Sequence, residues 1–193
     1  MGPKEHLFLK DMEKSGTAMK TVWVILFLGG MLFGQEKNTG PIIENYGAVW
    51  HVPDAHIPVD TTLVYKAIFD VMESPDDPPQ LNRRIETVAR YLNMHAQNGV
   101  PKEHLKAVLV VHNKASKDLI TDRAYQSRFN RDNPNSQLLV ELMDSGVEIV
   151  FCGQSSLSRE FPREALVDGV KIALSAMTVL IDYQNKGYCL IKF

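Results

Sequence analysis

The stretch "LKAVLVVHN", residues 105–113, decides the fold. From Ala107 to Val111 every side chain is apolar and three of the five are valine. A strand with one face in water alternates apolar and polar residues, whereas a continuous β-branched run is the mark of a strand buried on both faces. Strands of that kind belong to parallel sheets with helices packed on either side. The run stops abruptly at His112 and Asn113, two polar residues placed where such a strand delivers its carboxyl end.

Outward from this run the chain keeps a regular rhythm. "VEIVFC" (147–152) is a second buried strand and "VKIAL" (170–174) a third. "TLVYKAIFDVME" (62–73) alternates through Leu63, Tyr65, Ala67, Phe69 and Val71 and predicts a strand with one apolar face, and "YCLIKF" closes the chain as a strand over 188–193. Between them lie helical patterns. "QLNRRIETVARYLNMHAQNG" (80–99) sets Leu81, Ile85, Val88, Ala89 and Leu92 at helical spacing and stops at Gly99. Residues 114–146 hold two or three helical pieces, the last expected to start near Asn133 with Pro134 in its first turn. "SAMTVLIDYQNKG" (175–187) is a helix with Ser175 as N-cap. Strands alternating with helices imply right-handed crossovers. The expected fold is a single α/β domain, a three-layer α/β/α sandwich on a five-stranded, mostly parallel sheet.

The N-terminal part reads differently. "MKTVWVILFLGGMLFGQ" has a lysine after Met19, an apolar run from Thr21 to Phe33, then Gly34 and Gln35. That run is short for a membrane span, which needs about 20 residues, and suits a signal peptide over 19–34. The expectation is an exported protein, periplasmic or secreted, with no stable membrane span after cleavage; an uncleaved anchor is the alternative. Residues 1–18 read as an upstream extension, and no cysteine follows the run to carry a lipid anchor. Residues 35–60, with three prolines and no sustained period, read as an extended arm, and 61–193 as the folded domain.

Composition narrows the function. The 193 residues carry a formal net charge of −2 and no basic stripe, which argues against nucleic-acid binding. No glycine-rich phosphate loop, nucleophile elbow or zinc-type Cys/His spacing occurs, so neither nucleotide binding, hydrolysis nor a cofactor is expected. His51, Asp54 and His56 ("HVPDAH") match no familiar metal spacing, and His95, late in a helix, reads as structural.

In an open parallel sheet, ligands bind outside the carboxyl ends of the strands. Those ends supply His112 and Asn113, then Cys152 with Gly153 and Gln154, then Ser175. Cys152 stands out because a helix starting within "GQSSLS" (153–158) would turn unsatisfied N–H groups toward it and favour the thiolate. Free cysteine is also among the most buried residue types. At this point a reactive thiol and an inert packing residue both remain open.

The segments "LKAVLVVHNKASKDLITDRAYQSRF", "DNPNSQLLVELMDSGVEIVFCGQS" and "GVKIALSAMTVLIDYQNKGYCLI" together resemble the DsrE/DsrF-like proteins over roughly residues 45–193, in particular exported single-domain members. The resemblance implies a YchN-like fold with strand order 4-3-2-1-5, assembled as a homo-oligomer, trimer or hexamer. In the family's sulfur-relay members a cysteine ending the third strand carries sulfur as a persulfide between a donor and an acceptor thiol; Cys152 matches that position. His112, Asn113, Gly153, Gln154 and Ser175 would surround it. Many relatives have glycine after the "VVH" histidine where this chain has Asn113, which implies a narrower rim. The implied strand order also sets Cys189 about 14 Å from Cys152, too far for a disulfide.

Overall fold

The computed structural model describes residues 36–193, so the signal peptide over 19–34 and the extension before it lie outside the described residues. Glu36–Phe193 form one compact unit. Its centre is a sheet of five parallel strands, β1 (Tyr65–Val71), β2 (Leu105–Val111), β3 (Glu148–Cys152), β4 (Lys171–Ala173) and β5 (Cys189–Lys192). They lie in the order β4-β3-β2-β1-β5, the order the resemblance implies. The helices are α1 (Arg83–Gln97), α2 (Asp122–Phe129), α3 (Ser136–Asp144), α4 (Gly153–Ser158) and α5 (Ala176–Asn185). Among the described residues, no helix is long and apolar enough to cross a membrane.

Alternate residues of each strand enter two separate cores, as the period of two requires. Ala67, Phe69 and Val71, Leu105 to Val111 at odd positions, and Ile149 and Phe151 join Ile85, Val88, Leu92, Leu138, Leu139 and Leu142 of α1 and α3. Ile68, Val108, Val110, Val150 and Cys152 form a smaller cluster on the other face, with Ala176 and Val179 of α5. One layer thus holds several helices, and the opposite layer chiefly one.

Three sequence expectations are corrected. The alternation in residues 62–73 predicted one apolar face, yet Ile68 and Asp70 are buried as well as Ala67, Phe69 and Val71. The reason is placement: β1 runs between β2 and β5 and is covered on both sides, while Leu63 lies outside the strand and exposed. The last helix of 114–146 begins at Ser136, not near Asn133. The Asn133 side chain instead braces the preceding loop, donating to the carbonyls of Asp118 (2.8 Å) and Ile120 (2.7 Å). Strands β4 and β5 are also shorter than the expected 170–174 and 188–193, so Leu174 sits just beyond a strand end, as His112 and Asn113 do after β2.

The first part of residues 36–60 is packed against α1. Ile43 and Val49 are buried, and Asn38 bridges to Val49 in antiparallel fashion. Asn93 of α1 holds this segment, accepting from Ile43 N–H (2.9 Å) and donating to the carbonyls of Ile43 (2.9 Å) and Tyr46 (3.0 Å). Gly47 lies so close to the helix that a Cβ there would meet the Ala89 carbonyl carbon at 2.5 Å.

Candidate functional site: the thiol at the carboxyl edge of the sheet

Cys152 is the last residue of β3, and α4 begins with the next residue. Its side chain is 6% exposed and packs among Val110, Val150 and Ala176. Burial pushes the thiol pKa up, but the nearby backbone amides of Ser155, Ala176 and Gln154 and the Ser155 hydroxyl pull it down, although the side chain makes no capping hydrogen bond to α4. The donors win, and the pKa falls below the ordinary thiol value. A buried anion needs such compensation, because the low dielectric penalises unpaired charge and strengthens each bond made to it. The balance favours the thiolate more than in a free cysteine, and the groups responsible belong to the starts of α4 and α5.

The neighbouring residues each supply a part of this geometry. Gly153 is required by a close approach: a Cβ there would lie 2.5 Å from the Ala173 carbonyl oxygen of β4. Gln154 donates its side-chain amide to the Leu174 carbonyl (3.3 Å), tying α4 to the exit of β4. Ser175 caps α5, its hydroxyl accepting from Thr178 N–H at 3.1 Å, and the backbone amide of the next residue, Ala176, helps to lower the Cys152 pKa. Asn113 adopts a left-handed conformation (φ 53°), which asparagine tolerates and which glycine adopts freely. Its N–H donates to the Ser155 hydroxyl oxygen (3.0 Å), and its side-chain oxygen accepts from Arg159.

His112 continues β2 in extended backbone. Val111 pairs with Phe151, so the next rung sets His112 beside Cys152. The imidazole, however, is bonded to Asp70 at the end of β1, with Nε2 2.8 Å from Oδ1. Lys192 of β5 holds the other oxygen of Asp70 at 3.0 Å. Of the residues singled out from sequence, Gly153, Gln154, Asn113 and Ser175 thus lie on the segments that flank Cys152, and His112 stands at the end of the adjacent strand.

Sequence reasoning missed Ser155, Asp70 and Lys192. Ser155 had a legible signal, a hydroxyl three residues after the cysteine at a helix start. Asp70 was legible as an acid within the apolar "AIFDV", where burial demands a partner. Lys192 had none, since only the sheet order brings β5 beside β1.

The other candidates lie elsewhere. His51, Asp54 and His56 are exposed, and no group of three or more His, Cys, Asp and Glu side chains able to hold a metal occurs among the described residues. His95 donates Nδ1–H to the Tyr91 carbonyl (2.8 Å), between the rings of Tyr65 and Tyr91. Cys189 starts β5 and, like Cys152, is free. An apolar cavity of about 660 Å³, lined by Tyr65, Tyr91, Met94, His95, Cys189 and Phe193 among others, contains none of the residues around Cys152.

Residues 66–193 match the DsrE/DsrF-like family, from β1 to the last residue. The chain belongs to this family. Among solved structures, this DsrE-like chain is similar to the protein MTH1491 of Methanobacterium thermoautotrophicum, itself described as of unknown function. The two share 19% identity over 67% of this chain and 99% of that one, with a TM-score of 0.51. The ychN protein of E. coli is similar at 18% identity over 66% and 99%, with a TM-score of 0.48. No curated protein matches the sequence.

Proposed function

We propose that this protein is an exported sulfur carrier, which accepts sulfane sulfur on the Cys152 thiolate, holds it as a persulfide and passes it to an acceptor thiol. The observation that carries this reading is the place of Cys152 at the carboxyl end of β3 and the start of α4, with a thiol pKa lowered despite burial. Membership of the DsrE/DsrF-like family supports sulfur relay in general. Export rests on the signal-like segment 19–34. At 6% exposure the residue presents little sulfur to solvent, so a small inorganic or organic donor fits better than a bulky one. Homo-oligomer formation rests on the family resemblance, and the exposed Leu157, Leu174, Met177 and Ile181 of α4, α5 and the end of β4 would offer it apolar groups.

The competing reading is a binding or assembly module with a structural Cys152. It is favoured by the packing of that side chain in the apolar cluster beneath α5. Incubation with thiosulfate or polysulfide followed by intact-mass spectrometry separates the two. The carrier reading expects a species one sulfur atom heavier, mapped to Cys152 and lost in Cys152→Ser. An unmodified Cys152 under conditions that load a control carrier leaves the binding module.

A further inference from the structure

Asp70 is an acid in an apolar strand, 5% exposed, on the face it shares with Ile68. Burying a carboxylate there is costly unless it is paired. Both its oxygens are held, one by His112 and one by Lys192, so its position is fixed from two sides. A carboxylate only accepts, so the proton on this hydrogen bond belongs to His112 Nε2. The nitrogen left to exchange a proton is Nδ1, which has no hydrogen-bond partner among the described residues. The ring is anchored on its β1 side, and the strand on its other side, β3, ends at Cys152. The imidazole is bonded to Asp70 and makes no hydrogen bond to the sulfur. The histidine is therefore available to a third party beside the thiolate.

We propose that His112 donates a proton to the departing sulfur when Cys152 is loaded, with Asp70 as its positioning residue and Lys192 fixing Asp70. This rests on the sulfur-carrier reading and names its donor class, a small organic persulfide. The Cys152 thiolate attacks the outer sulfur of R–S–SH, a new S–S bond forms, and the old one breaks. Its electron pair leaves on the inner sulfur, which takes the proton from imidazolium Nδ1. The persulfide formed, Cys152–S–SH, returns its own proton to the imidazole. The sum is Cys–S⁻ + R–S–SH → Cys–S–S⁻ + RSH, with no oxidant or reductant consumed. An alkyl thiolate is a poor leaving group and needs the proton; an aryl thiolate, far less basic, does not.

The test is loading of the full chain from an alkyl and an aryl hydropersulfide, followed by intact mass over time. His112→Gln is expected to slow loading from the alkyl donor by roughly 100-fold, the lower range for general acid catalysis, and to leave the aryl rate within a few-fold. Asp70→Asn should show the same donor selectivity to a smaller degree. A merely structural role would slow both donors alike. Equal loss on both donors, or no loss on either, in a His112→Gln protein with native circular dichroism overturns the proposal while the carrier reading stands. Failure of the wild-type chain to load from either donor overturns the carrier reading, and this one with it.

Discussion

Ser155 is the residue that does most for the Cys152 pKa: its backbone amide and its hydroxyl both lower it. The hydroxyl oxygen is in turn occupied by Asn113 N–H, so its hydrogen is directed away from that bond. Ser155→Ala should therefore raise the thiol pKa toward the free-cysteine value of about 8.5. Thiolate ultraviolet absorbance against pH, in a Cys189→Ser background, measures it; an unchanged midpoint would remove Ser155 from the account. Stability follows with a definite sign. A depressed pKa contributes stability that is complete above the unfolded-state pKa and is lost as pH falls through the folded one. Wild type should gain stability with rising pH across that interval, and Ser155→Ala should gain less. Cys152 as the focus, and Gly153, Gln154, Asn113 and Ser175 around it, were legible because strand ends and helix starts leave marks in sequence. The donors' convergence was not, because the Ala176 N–H comes from a segment more than twenty residues away.

The elements are joined at a second buried centre, Asp118, in the segment after β2. Its carboxylate accepts from Ser74 (2.9 Å) after β1, from Asn82 (2.7 Å) at the N-cap of α1, and from Asn135 (3.3 Å) before α3. Asn82 also accepts from Arg84 N–H (3.0 Å), and its own N–H donates to Asn135 Oδ1 (2.8 Å). Burial raises the Asp118 pKa despite the opposing bonds from Asn82, Ser74 and Lys117. Asp118→Ala would leave several buried donors without an acceptor, a loss of about 2–4 kcal/mol. Urea unfolding should show it as a lower midpoint; a shift below about 0.5 kcal/mol, the size of an ordinary surface substitution, would mean the donors find other acceptors. The amphipathic face of α1 could be read directly, with Ile85, Val88, Ala89 and Leu92 all buried. The start of α3 could not, because Asn133 and Asn135 look like cap residues while their partners are supplied by distant loops.

For the molecule as a whole, the layers are unequal. Several helices cover one face of the sheet; α5 chiefly covers the other, and its Met177 and Ile181 remain open to solvent. A trimer or hexamer, which the family resemblance implies, would associate through this thin side; light scattering should then show it, and Ile181→Glu should yield monomers with unchanged circular dichroism. A monomeric wild type would leave these side chains without a role in assembly. The parallel α/β architecture was readable from the residues alone, since "AVLVV" and "VEIVF" admit few other settings. Strand order was not: periodicity says which segments are strands and is silent on which are neighbours, and that order came through family resemblance.

The donors at Cys152 have a consequence for cargo. The groups that lower its pKa act on Sγ, where the charge of the thiolate sits. An added sulfur carries the negative charge outward by one S–S bond, about 2 Å, beyond the grip of N–H groups that stay behind. In the proposed role, the site would therefore stabilise the empty thiolate more than the loaded persulfide, and would favour handing the sulfur over whatever the acceptor.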